Sequence, residues 1–166
     1  HIESMQKPVN DLTDNTLSQI KFLETLRTTN PFARIIYTST RQIYGKPLYL
    51  PVDESHPFRP VDINGINMYC AESYHLLYNQ VYDMRSTILR FTNTYGPRMH
   101  IRDSRLSFLG LWIKQSTTNQ PIQIYGNGEQ IRDFNYVSDV VDALIAASVE
   151  PSCVNMVYNL GSNQPI

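Results

Sequence analysis

The sequence predicts an α/β fold built on a parallel sheet, and three observations carry that prediction. Ala33-Arg-Ile-Ile-Tyr-Thr-Ser39 and Ser86-Thr-Ile-Leu-Arg-Phe91 are short, β-branched and apolar, as strands buried on both faces are. Between them lies one long helical stretch, Ile63–Met84, and a strand–helix–strand unit requires parallel strands joined by a right-handed crossover. A second helical stretch, Pro8–Thr29, feeds the first strand directly, so helix and strand alternate from the start. Open parallel sheets bind ligands beyond the carboxyl ends of their strands. Ser39-Thr40 and Thr92-Asn93 occupy those ends and are the first candidates for a site.

Each element has a local reason. In Pro8–Thr29, Leu12, Ile20, Leu23 and Leu26 form a loose amphipathic face, and Asp11, Thr13 and Asp14 near the start suit the positive end of a helix dipole. Asn30-Pro31 ends it. In Ile63–Met84, residues Ile66, Cys70, Ser73, Leu77, Val81 and Met84 recur at steps of three and four, which puts a mostly apolar stripe on one face. Arg41–Val61 is a long connection with four prolines, Pro47, Pro51, Pro57 and Pro60. At the carboxyl edge of a sheet such a loop is either functional or a solvated connector. Gly96-Pro97 stops the second strand. A basic cluster follows, Arg98, His100, Arg102 and Arg105, and then a helix over Ser107–Gln115.

Asn127-Gly128, between Pro121–Tyr125 and Gln130–Tyr136, predicts a hairpin turn joining two extended segments. Ser138 suits an N-cap for a helix over Asp139–Val149, with Val140, Val141, Leu144 and Ile145 facing the core. Val154–Leu160 is a last buried strand, closed by Gly161.

Composition removes several function classes. A formal net charge of −1 leaves no electrostatic footprint for nucleic acid or an anionic membrane. No apolar run approaches a membrane span and no leader pattern opens the chain, so a cytoplasmic protein is expected. Cys70 and Cys153 stand apart, with no CxxC or Cys/His spacing, and are expected as two reduced thiols with no structural zinc and no other metal. The 166 residues suffice for one domain with a core or for parts of two. The chain opens on His1 and stops soon after a strand, so a fragment is expected.

Four strings carry a resemblance. Tyr37-Thr-Ser-Thr-Arg-Gln-Ile-Tyr-Gly45 is similar to the "SS…YG" strand end of the NAD-dependent epimerase/dehydratase family, the extended short-chain dehydrogenases that remodel nucleotide sugars. Leu89-Arg-Phe-Thr-Asn-Thr-Tyr-Gly-Pro-Arg98 resembles its "LR-x-x-N-x-YGPR" block. Ile124–Phe134 with Val137-Ser-Asp139 resembles "GxGxQxRDF…VxD", and Tyr158-Asn-Leu-Gly161 resembles "YNLG". The order and spacing match over nearly the whole chain.

The resemblance implies a partial Rossmann-like, doubly wound parallel sheet with part of a smaller substrate-binding region. The implied divisions are 1–95 for the C-terminal part of the NAD-binding domain, 96–153 for the nucleotide-sugar region and 154–166 for a returning Rossmann strand. It implies NAD as the cofactor of the full-length protein and a nucleotide sugar as substrate. Thr40 matches the residue that hydrogen-bonds the reacting hydroxyl. Ser39 and Phe91 match positions beside the cofactor, and Asn93 lies near the sugar. Arg132 matches the arginine that grips the diphosphate, for which a guanidinium fork suits phosphate oxygens; the alternative is a surface cation beside Asp133. Members of the family often dimerise through a bundle that includes two helices such as Pro8–Thr29 and Ile63–Met84.

Two departures stand against this pattern. The Tyr-x-x-x-Lys pair of the family falls on Asn64 and Met68, and neither an amide nor a thioether titrates as a base or supplies a charge. Tyr69 as a substitute base would need a slip of about five residues and a rotation of roughly 140° around the helix, and is otherwise a packing aromatic. The Asp-Glu of dehydratase members falls on Arg41 and Gln42, which argues against 4,6-dehydration. The glycine-rich dinucleotide fingerprint is expected upstream of His1, since the seven glycines here contain no such pattern. Without it this segment alone is expected to bind NAD poorly and to expose a sheet edge. The expected function is therefore a piece of an epimerase-like oxidoreductase or isomerase. The alternative is a non-catalytic relative that binds nucleotide sugars or serves assembly.

Overall fold

A computed structural model of the chain describes residues 2–101, 107–124, 126–164 and 166. The basic cluster read at Arg98–Arg105 lies in part outside these residues, at Arg102 and Arg105, as does Tyr125. The described elements are α1 (Ile2–Gln6), α2 (Pro8–Leu12), α3 (Ser18–Thr29), β1 (Arg34–Thr40), α4 (Ile63–Tyr82), β2 (Arg85–Phe91), β3 (Asn93–Tyr95), α5 (Phe108–Thr117), β4 (Phe134–Tyr136), α6 (Val137–Val149) and β5 (Val157–Leu160). A π-helical turn over Thr13–Leu17 joins α2 to α3, so Pro8–Thr29 is continuous helix with one wide turn.

The parallel sheet has the order β1-β2-β5, with Arg34 opposite Arg85 and Thr40 opposite Phe91. The strand–helix–strand unit is therefore β1-α4-β2. The connection from α4 to β2 is two residues long: Asp83 adopts a left-handed conformation at φ 54° and ends the helix, and Met84 is fully buried. Helices α3 and α4 cover one face of the sheet through two apolar clusters. The first joins Leu23, Ile35, Tyr78 and Met84; the second joins Tyr37, Ala71 and Ile88. On α6, Val140 and Ala147 are buried, and Arg34 reaches the end of that helix, donating to the carbonyls of Ala147 at 2.6 Å and Glu150 at 2.7 Å.

The stripe read on α4 is turned outward. Ile66 is 52% exposed, Leu77 48% and Val81 58%, while Met84 at its end is buried. The buried face runs through Asn67, Ala71, Glu72, His75, Tyr78 and Asn79. Periodicity of apolar residues missed it because the buried face is mostly polar, and each polar group on it is paired. Asn67 donates to Asp11 at 2.7 Å and its carbonyl accepts from Thr16 at 2.9 Å. Asn79 holds the backbone of Ser86 by two bonds of 3.0 Å, fastening the end of α4 to β2. A similar offset holds in α6, where Val141 and Ile145 face outward.

Among the described residues, the hairpin expected around Asn127-Gly128 does not form. Gly126 and Gly128 do turn at φ 77° and 79°, but β4 instead pairs in parallel with β3, Asn93 opposite Phe134. β3 continues almost directly from β2 past Thr92, and its backbone edge is the one the segment after the turn pairs with.

His75 is fully buried, stacked on Tyr37 with ring centroids 4.4 Å apart. Its Nδ1 lies 3.0 Å from the Ser86 hydroxyl and its Nε2 3.3 Å from Gln19 Oε1. A neutral ring with its proton on Nε2 satisfies both contacts. Burial pushes its pKa down to about 4 from an ordinary 6.5. Between those two values the unfolded chain binds a proton that the folded protein refuses, so stability falls as pH drops through that window, by up to about 3 kcal/mol. Urea midpoints of the full-length protein at about pH 7 and about pH 4.5 should differ less for His75→Gln than for the wild type. An equal drop in both would remove His75 from the acid response.

Candidate functional site at the carboxyl rim

The carboxyl ends of β1 and β2 meet where Thr40 pairs with Phe91. Thr40 Oγ1 accepts from Gln42 N at 3.3 Å and so starts the 3-10 turn Arg41–Tyr44. Gly45 closes that turn at φ 64°; a Cβ there would lie 1.9 Å from the Arg59 carbonyl, so only glycine lets the returning loop pass. The start of α4 is pinned beside it. Asp62 caps the helix, accepting from Gly65 N at 2.6 Å, and a Cβ on Gly65 would come within 2.9 Å of the Gln42 carbonyl.

Beneath the rim is a charge cluster that sequence reading did not assign to the site. Glu72 and Arg90 are fully buried, with Nη2 to Oε1 at 2.5 Å and Nε 3.2 Å from each carboxylate oxygen. Arg90 Nη1 also donates to the Tyr44 hydroxyl at 2.6 Å and the Glu54 carbonyl at 3.2 Å. The Tyr44 hydroxyl donates in turn to Asn159 Oδ1 at 2.6 Å, and Asn159 N donates to Glu54 Oε1 at 2.6 Å. Arg90 sits inside the Leu89–Arg98 string, and its need for a buried acidic partner was the signal that could have found Glu72.

The structure places the sequence-predicted residues in two groups. Thr40, Phe91, Asn93 and Arg132 gather at the rim. Asn93 N donates to the Asp133 carbonyl at 3.2 Å, its Oδ1 accepts from Arg41 Nη2 at 3.2 Å, and its Nδ2 is buried with no hydrogen-bond partner. Arg132 is half-buried, with Nη1 2.8 Å from the Ile131 carbonyl. The Asp133 carboxylate faces Ser162, accepting from its N at 2.9 Å and its Oγ at 2.6 Å, and makes no salt bridge to Arg132 among the described residues.

The other group turns away from the rim. Ser39, expected beside the cofactor, instead donates its hydroxyl to Glu72 Oε2 at 2.7 Å and is buried. Asn64, at the tyrosine position, donates to Asp11 at 3.3 Å. Met68, at the lysine position, receives the Tyr37 hydroxyl on its sulfur at 3.6 Å, and burial raises the Tyr37 pKa well above the ordinary phenol value. Tyr69 packs on Phe58 with centroids 4.7 Å apart. Asn64 and Met68 do not titrate, and burial holds Tyr37 protonated.

Comparison with known proteins points the same way as the strings. Residues 1–161 match the model of the NAD dependent epimerase/dehydratase family. A putative UDP-glucose 4-epimerase of Methanocaldococcus jannaschii is 35% identical over 97% of this chain and 52% of its own length. Among solved structures, UDP-glucose 4-epimerase from Thermotoga maritima with UDP-glucose superposes with a TM-score of 0.92 at 27% identity, covering 99% of this chain and 53% of that one. UDP-glucuronic acid 4-epimerase from Bacillus cereus, in complex with UDP-glucuronic acid and NAD, gives 0.84 at 26% identity, over 93% and 48%. The chain thus spans about half the length of these relatives.

If Ser39 is spent on the charge cluster, Ser39→Ala in the full-length protein should lower stability by about 1–3 kcal/mol, the cost of removing one partner from a buried charged group. Affinity for NAD and for nucleotide sugars should stay unchanged in calorimetry. Weaker NAD binding without loss of stability would return Ser39 to the cofactor site.

Proposed function

Since the chain belongs to the NAD dependent epimerase/dehydratase family, we propose that the full-length protein binds a nucleotide diphosphate sugar at this rim and lacks the family's usual proton transfer. The observation that carries this reading is the state of Asn64 and Met68. One is tied to Asp11 and the other contacts a buried phenol, so the pair that would activate a sugar hydroxyl is replaced by groups already engaged in packing. Thr40 would orient the hydroxyl. Asn93 Nδ2, buried and unpartnered, would be satisfied by an acceptor on a ligand. Arg132, with no carboxylate paired to it among the described residues, would hold the diphosphate.

These residues fit NAD in part. Thr40, Phe91 and Asn93 would border its nicotinamide end, while the lysine that would grip its ribose is Met68 and no glycine-rich turn lies within the 166 residues. Bound by the full-length protein, NAD would supply a hydride acceptor for a sugar carbon. The exposed face of α4, with Ile66, Leu77 and Val81, supports association with a second copy through the long helices. No described helix is long and apolar enough to cross a membrane, and we place the protein in the cytoplasm.

A second reading is an active epimerase whose proton acceptor lies elsewhere, favoured by the 35% identity to the putative UDP-glucose 4-epimerase. The two separate in one experiment. With NAD and a panel of nucleotide sugars, the full-length wild type should bind sugar nucleotides without inverting C4. The double variant Asn64→Tyr/Met68→Lys should raise turnover by about 100-fold or more over that background, the usual scale of general acid–base catalysis. Wild-type C4 inversion at enzymatic rates would establish the second reading instead, and failure to bind any sugar nucleotide would refute both.

A further inference from the structure

We infer that Arg41 selects a nucleotide sugar whose sugar ring carries a carboxylate. The inference rests on the nucleotide-sugar reading above and names its substrate class.

Arg41 follows Thr40 directly, at the point where β1 ends and the 3-10 turn begins. Its Nη2 donates to Asn93 Oδ1 at 3.2 Å, which leaves most of its guanidinium donors unspent. No salt bridge among the described residues reaches it. Two charges act on it across the rim, the Arg132 cation and the Asp62 carboxylate. Asp62 is buried and uses one oxygen to cap α4, so it is held in the helix start. Crowding by the rim comes first, and the Arg132 cation second, in pulling the Arg41 pKa below its ordinary value, against a smaller opposite pull from Asp62. Arg41 still reaches solvent. Two guanidinium groups near enough for one charge to act on the other, with one neighbouring carboxylate already engaged, leave a deficit of negative charge that a ligand can fill.

One such anion is the diphosphate, which the nucleotide-sugar reading assigns to Arg132, two residues before β4. Arg41 sits elsewhere, adjacent in the chain to the residue that would hold the reacting hydroxyl. In a hexuronic acid the C5 carboxylate is the immediate neighbour of the C4 hydroxyl. Consecutive groups on the ring would therefore meet consecutive residues on the rim, hydroxyl to Thr40 and carboxylate to Arg41. The guanidinium fork matches a carboxylate with two parallel hydrogen bonds, which a neutral hydroxymethyl cannot return. An acidic residue at position 41, as in dehydratase members, would repel the same group.

Titration calorimetry on the full-length protein tests this with UDP, UDP-glucose and UDP-glucuronic acid, and in parallel with the thymidine diphosphate counterparts. The wild type should bind the glucuronic acid form about tenfold more tightly than the glucose form. Arg41→Gln should erase that gap while leaving affinity for the glucose form and the bare nucleotide within about twofold, and Arg41→Lys should retain part of it. Equal affinity of the wild type for both sugars would overturn the inference. So would an Arg41→Gln that weakens the bare nucleotide and both sugars alike, which would put Arg41 on the diphosphate. Absence of binding by every nucleotide tested would instead refute the nucleotide-sugar reading itself, an outcome distinct from loss of the gap.

Discussion

The rest of the structure depends on one ion pair, Glu72 with Arg90. It joins the middle of α4 to the carboxyl end of β2, with both partners out of solvent. Taking two charges out of water is costly, and the cost is offset only where hydrogen bonds satisfy nearly every remaining atom. Here they do. Ser39 supplies a donor to the carboxylate from β1, while Tyr44 and the Glu54 carbonyl take the far side of the guanidinium. Phe58 and Tyr44 cover its faces with ring centroids 4.8 and 5.3 Å from the guanidinium carbon. Five separate stretches of chain thus converge on one charge pair: β1, the turn after it, the proline-rich loop, α4 and β2.

That convergence explains why the rim is where it is. The Arg41–Val61 connection is long, but its backbone is tied down at Glu54 through Arg90, at Arg59 through Ile43, and at Val52 through Asn159. Thr40 and Arg41 lie between two anchored points, Ser39 inward on Glu72 and Tyr44 inward on Arg90. Their side chains are left at the edge of the sheet. The same frame brings Asn93 and Arg132 into place through β3 and its partner β4. Neither Asn64 nor Met68 takes part in this frame, so the rim keeps its shape whatever stands at 64 and 68.

Much of this was legible in the sequence where the signal was local. The strands announced themselves through β-branched apolar runs, the parallel arrangement through the helix between them, and the rim through its position at strand ends. The gathering of Thr40, Asn93 and Arg132 followed from ordered blocks. Illegible were the features set by pairing between distant residues. The buried face of α4 could not be read from hydropathy, because Asn67, Glu72, His75 and Asn79 are buried by virtue of partners at Asp11, Arg90, Gln19 and Ser86. The inward turn of Ser39 has the same origin. Pairing of β4 with β3 in place of a hairpin was decided by an available edge that no local turn signal reports.

A double-mutant cycle on the Glu72–Arg90 pair, read by urea unfolding of the full-length protein, tests the central claim most directly. Glu72→Met and Arg90→Met alone should each cost about 3–5 kcal/mol, since each strands a buried charge. Together they should cost well under the sum, because the double variant strands none. Additivity to within about 0.5 kcal/mol would show that the two residues act independently and would contradict the account.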